Sequence, residues 1–229
     1  MGVVLKSSFC PSCKDNIRWF NNIPIISFIL LQGKCRSCKQ AIDKQYLIVE
    51  LITSLSFVTI YYFFGLTITS LLLLILFVFF IIIFFIDLKH FIIPDSLTFP
   101  LMIIGFLKSF DPNLNQTIFP NYINSLIGGV TGYLAIWSII YLYKVIRKKE
   151  GMGLGDAKLM AGIGLLFGWQ SIPFTLFFAS LLALLIALPS LMEKEKSLKS
   201  KIPFAPYLII AGLFYFFYGN IIYKITLGV

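Results

Sequence analysis

Leu71-Leu72-Leu73-Leu74-Ile75-Leu76-Phe77-Val78-Phe79-Phe80-Ile81-Ile82-Ile83-Phe84-Phe85-Ile86 is an apolar run without a polar interruption, and it ends on an acid, Asp87. With Thr67 to Ser70 ahead of it, the stretch is long enough to cross a hydrocarbon core of ~30 Å as helix at ~1.5 Å per residue. A carboxylate at the boundary of such a segment is costly unless it is solvated, paired or functional. Fold and chemistry are therefore posed together in one place.

The rest of the chain agrees with a membrane setting. Its 229 residues are 59% hydrophobic with 24 phenylalanines, and the mean hydropathy is +0.91, values foreign to a soluble globular domain. Apolar segments are expected at 45–65, 67–86, 96–110, 122–144, 156–169, 171–192 and 203–223. The expected fold class is an all-α polytopic membrane protein with about seven transmembrane helices. No cleavable signal peptide is visible, so the first span would serve as the targeting signal, and Met1-Gly2 with Lys6 lacks the Ser/Thr of a myristoylation site. Between the spans, the Asn115-Gln116-Thr117 sequon reads as an ordinary polar loop.

Charge placement sets the orientation. Net charge is +9, and all but Lys108 and Lys224 of the Lys and Arg residues fall in 1–44, 87–95, 144–158 and 193–202. By the positive-inside rule those stretches are cytoplasmic. The same count removes the need for a nucleic-acid partner, and the Lys194, Lys196, Lys199 and Lys201 loop reads as a solvated face suited to anionic lipid. Asp87 then lies at the inner end of the second span and Asp156 at the inner start of the fifth, on one membrane face.

Asp156 follows Gly151-Met152-Gly153-Leu154-Gly155. Gly153 and Gly155 lack a Cβ, which allows a tight turn and close approach to a substrate strand, and the helix starting there favours an ionised Asp156. No strand precedes these glycines, so a dinucleotide loop is not indicated. Two carboxylates brought together share a proton: the ionised member draws a proton from water while the protonated one polarises a carbonyl, the logic of aspartic proteolysis. Such a pair titrates as a unit, and no individual base or acid is assigned.

Segments 96–110 and 156–169 would reach only about 22 Å and about 21 Å as helix. They must be shielded by neighbours, extended by polar turns, or set in thinned bilayer beside the acids. His90, the single histidine, reads as a solvated loop residue, Asp95 as an N-cap, and Glu50 as a structural or functional acid one turn into the first span.

Residues 1–44 are polar, with Cys10-Pro11-Ser12-Cys13 and Cys35-Arg36-Ser37-Cys38 at either end. Two Cys-x-x-Cys pairs of this spacing can close a tetrahedral zinc site with no open position, a structural metal. Residues 1–44 are expected to form a small cytoplasmic zinc-binding domain with four cysteine ligands, and Ile25 to Leu31 a strand or a helix lying on the membrane surface.

These features resemble the type IV prepilin peptidases, membrane aspartic proteases that share Gly-x-Gly-Asp with presenilin-like enzymes. The matching stretches are both cysteine pairs, Asn22-Ile23-Pro24, Gly33-Lys34-Cys35-Arg36, Phe85-Ile86-Asp87 through Ile93-Pro94-Asp95, and Gly153-Leu154-Gly155-Asp156-Ala157-Lys158. They span most of the chain in the family's order. The resemblance implies that Asp87 and Asp156 are the catalytic pair, that 45–229 is an aspartic protease domain, and that the substrate is a prepilin or pseudopilin. Its basic leader would be cleaved at the cytoplasmic face of the bacterial inner membrane. It also implies N-methylation of the new N-terminus with S-adenosylmethionine, the activity with which the cysteine region is associated; Gly33, Lys34 and Glu50 are the positions to test. Members of that bifunctional class carry a further membrane helix and segment ahead of the first cysteine pair, where this sequence has Met1 to Phe9. The competing readings are a proton-coupled transporter using the boundary acids, for which no midplane acid or inverted repeat is evident, and a membrane-anchored zinc module that binds nucleic acid or a partner.

Overall fold

A computed structural model describes residues 8–110, 119–148, 151–192 and 203–227. The sequon, the 194–201 lysines and Met1-Gly2 lie outside them. Among the described residues the chain is helical without a named strand: α1 (Ile26–Leu30), α2 (Lys44–Phe64), α3 (Ile68–His90), α4 (Asp95–Leu107), α5 (Tyr122–Arg147), α6 (Leu154–Phe167), α7 (Ser171–Met192) and α8 (Ala205–Leu227). It divides into two compact units, 1–65 and 66–229.

Helix ends follow local chemistry. Asp43 accepts the Gln45 N–H at the head of α2, and Gly65 at φ +62° ends it. Thr67 and Ser70 form a reciprocal capping box at the start of α3, pinning the long apolar run between a polar start and Asp87. Asn121 accepts from Asn124 at the start of α5. The 25–31 run resolves as the one-turn helix α1. In α2 the hydroxyls of Thr53, Ser56 and Thr59 bond to the carbonyls of Val49, Ile52 and Leu55, so polar groups in an apolar span are satisfied within it.

Four helices among the described residues, α2, α3, α5 and α7, are long and apolar enough to cross a membrane alone. The two short expected segments are met by different means. α6 is enclosed: it packs on α4, α5, α7 and α8, and ten of its fourteen residues are buried. α4 buries one face through Thr98, Leu101 and Gly105 and is lengthened by a 3-10 turn, Lys108–Phe110.

Glycine makes the enclosure of α6 possible. A Cβ on Gly128 of α5 would lie 2.2 Å from the Gly164 carbonyl, and one on Gly164 2.1 Å from the Gly128 carbonyl, so the two backbones touch. Ser125 Oγ donates to the Leu165 carbonyl at 2.5 Å across the same seam. α8 is keyed to both acid-bearing helices: Phe216 meets Phe77 of α3 at 5.4 Å, and Tyr215 meets Phe167 of α6 at 5.8 Å. Lys108 is fully buried, its ammonium 4.3 Å from the Phe119 ring centre.

Candidate active site and cysteine centre

Asp87 lies in the last turn of α3, where Phe91, in the left-handed conformation, donates its N–H to the Asp87 carbonyl and ends the helix. Asp156 lies in the first turn of α6, behind Gly153. Both are buried, at 5% and 8% exposure. The two helices share α4 and α8 as neighbours. Asp87 Oδ2 accepts the backbone N–H of Ala205, the first residue of α8, at 3.1 Å.

The loop before α4 and the glycine stretch before α6 interlock. A Cβ on Gly155 would lie 2.9 Å from Ile93 Cβ, and Lys158 pairs with Asp95 at 2.6 Å while lying over the Phe99 ring. Asp95 is therefore not the cap expected: no side-chain cap is made at α4, whose N-cap position is Pro94. Its carboxylate is drawn instead to a lysine two residues past Asp156. The motif contains Lys158 without revealing a partner for it, because the pair joins positions 63 residues apart.

The glycines work by size and not by a left-handed turn. Gly153 has φ −84°, within reach of any residue. A Cβ there would meet nothing closer than Gly155 N at 3.8 Å and Asp156 Oδ2 at 3.9 Å. Space is thus open beside the Asp156 carboxylate at Gly153 and closed by Ile93 at Gly155. His90 is exposed, as expected, but it is the last residue of α3 and not a loop residue.

In the N-terminal unit the two Cys-x-x-Cys pairs fold alike. Cys10 N–H donates to the Asp15 carbonyl and Lys14 N–H to the Cys10 carbonyl; Cys35 and Lys39 repeat the pattern with Gln40 and Cys35. Lys14 and Lys39 both have φ 60°. The four Sγ atoms lie within 4.8 Å of one another, and Cys10 and Cys38 at 3.9 Å. A tetrahedron with Zn–S of about 2.3 Å needs S···S of about 3.8 Å, so the cluster can hold a metal ion. All four cysteines are free; the Cys13 and Ser12 backbone N–H groups hold the Cys10 thiol down to about 6, while, against the Asp15 backbone N–H, burial and the neighbouring thiols push Cys13 up to about 11.

Glu50 accepts the Ile25 N–H at 2.7 Å, tying α2 to the head of α1. It also lines a cavity of about 1330 Å³ with Cys10, Asn22, Cys35 and Tyr46. Gly33, at φ +66°, has its Cβ direction filled by the Phe28 ring at 3.0 Å, and Lys34 is exposed, bridged to Ala41. Neither lines the cavity.

Comparison with known proteins gives the family. Residues 74–188 match the type IV leader peptidase family, and residues 1–64 match the bacterial peptidase A24 N-terminal domain. The prepilin leader peptidase/N-methyltransferase of Pseudomonas aeruginosa is 37% identical over 218 residues, 95% of this chain and 73% of the relative. The proteins of the same description from Dichelobacter nodosus and Xanthomonas campestris pv. campestris are each 37% identical, covering 95% and 96% of this chain and 73% and 75% of the relative. No solved structure matches. The chain belongs to the type IV leader peptidase family, a class of multi-pass membrane peptidases.

Proposed function

We propose that Asp87 and Asp156 are the catalytic dyad of a leader peptidase acting on prepilins or pseudopilins, as the names of its relatives describe for those proteins. The observation that carries this reading is the burial of two carboxylates at the ends of α3 and α6, helices that share α4 and α8 as neighbours. The ionised carboxylate takes a proton from a water, whose oxygen attacks the scissile carbonyl. The protonated carboxyl donates to the carbonyl oxygen, and collapse of the tetrahedral adduct releases the leader and the protonated amine of the mature chain. The opening beside Asp156 at Gly153 gives an extended peptide room to approach. The placement of Lys and Arg supports a cytoplasmic site in the inner membrane.

On this reading residues 1–44 are the cytoplasmic zinc-binding domain, with Cys10, Cys13, Cys35 and Cys38 as ligands, and 45–229 the protease domain. S-adenosylmethionine, when bound, would supply the methyl group for the freed amine once that amine has lost a proton, with S-adenosylhomocysteine as the leaving group. The N-terminal cavity is large enough to admit a nucleoside-sized ligand and is lined by polar and apolar side chains, with Glu50 and Tyr46 on its wall. Gly33 and Lys34, which do not line it, are tested beside Glu50.

The test is cleavage of a prepilin by membranes carrying Asp87→Asn or Asp156→Asn. Both variants insert and neither cleaves. Cleavage by either at the wild-type rate refutes the dyad.

A further inference from the structure

The start of α8 meets Asp87. The first N–H groups of a helix have no intrahelical acceptor, and the sequence Pro203-Phe204-Ala205-Pro206-Tyr207 leaves few of them to place. Pro206 has no N–H. Tyr207 and Leu208 both donate to the Phe204 carbonyl, which makes Phe204 the cap. Ala205 is then the one early position with a donor unused by the helix, and that donor goes to Asp87 Oδ2 at 3.1 Å. Burial fixes the aim: Ala205 and Leu208 are fully buried, and Tyr207 and Ile209 nearly so.

Asp87 needs this contact for a physical reason. It stands in the last turn of α3, at the negative end of that helix, where a carboxylate is disfavoured. The positive end of α8 offsets this. Asp87 Oδ2 is held by the amide, while Oδ1 accepts no hydrogen bond from a described residue.

We propose that the Ala205 backbone N–H is a positioning group for catalysis, holding Asp87 by Oδ2 so that Oδ1 faces the water and the peptide; this rests on the dyad reading above. The role belongs to a main-chain atom, so a side chain at 205 matters only through its bulk.

The test uses the full chain and a prepilin peptide, with kcat and KM measured separately. Ala205→Pro removes the N–H at a helix position that tolerates proline, whereas Ala205→Val adds similar bulk and keeps the donor. The expected result is a fall in kcat of roughly 10- to 100-fold for Ala205→Pro with KM unchanged, the scale of a hydrogen bond to a charged group, against a change within about threefold for Ala205→Val. Should proline unfold the protein, replacing the 205 amide by an ester through cell-free incorporation of lactate removes the N–H without adding bulk, weakening the Phe204 carbonyl as an acceptor at the same time; the same loss in kcat with an unchanged unfolding temperature is expected. An unchanged kcat in the ester variant overturns the proposal. So does an equal loss in the proline and valine variants with an unaffected ester. Activity of Asp87→Asn in the same assay overturns the dyad reading instead, which separates the two failures.

Discussion

Asp87 sits at the end of its helix that disfavours a carboxylate, whereas Asp156 sits at the end that welcomes one. That asymmetry was legible in the sequence, where Asp87 closes one apolar run and Asp156 opens another. The flanking glycines separate two effects. Gly155→Ala drives a Cβ to 2.9 Å from Ile93 Cβ and should cost roughly 1–3 kcal/mol of stability, seen as a lower unfolding temperature in detergent. Gly153→Ala meets no atom within 3.8 Å, so its unfolding temperature should be unchanged. Its methyl stands beside Asp156 Oδ2 and should raise KM for peptide; an unchanged KM would mean that the substrate does not pass there. The exposed Lys158–Asp95 pair should contribute about 1 kcal/mol or less, so Lys158→Ala should leave insertion intact. Asp95 was legible only as an acid before a helix, which suggests a cap, because its partner lies on another helix.

At the scale of elements, hydropathy located every apolar helix to within a few residues, since each begins and ends where polar or glycine residues interrupt it. Packing was not legible. α6 reads as a span too short to cross, and it is enclosed through glycines whose partners lie on other helices, Gly162 against Leu101 of α4 and Gly164 against Gly128 of α5. Gly164→Ala places a Cβ 2.1 Å from a backbone carbonyl that no rotamer can move. It should destabilise the bundle by roughly 2–3 kcal/mol, measured by thermal unfolding, and should lower activity through displacement of Asp156. A variant as stable as wild type would show that the α5–α6 seam is looser than the backbone contact implies.

Across the whole molecule the chain joins a cysteine-built unit, 1–65, to a helical unit, 66–229, that carries both acids. Cysteine spacing made the four-thiol cluster legible because both pairs close the same local turn; the cavity beside it was not, since its wall is drawn from the loops and from α2. Elemental analysis should find one zinc per chain, lost on Cys10→Ser with Cys38→Ser, and chelation should abolish methylation while cleavage persists. Equal loss of both activities would place zinc in the support of the whole protein. The central claim is the pairing of Asp87 with Asp156, and the most direct measurement is the mass of a prepilin peptide after incubation with wild type and with each asparagine variant, with and without S-adenosylmethionine. The account predicts a shortened product from wild type, one methyl heavier when the donor is present, and intact peptide from Asp87→Asn and from Asp156→Asn. A shortened product from either variant would contradict it.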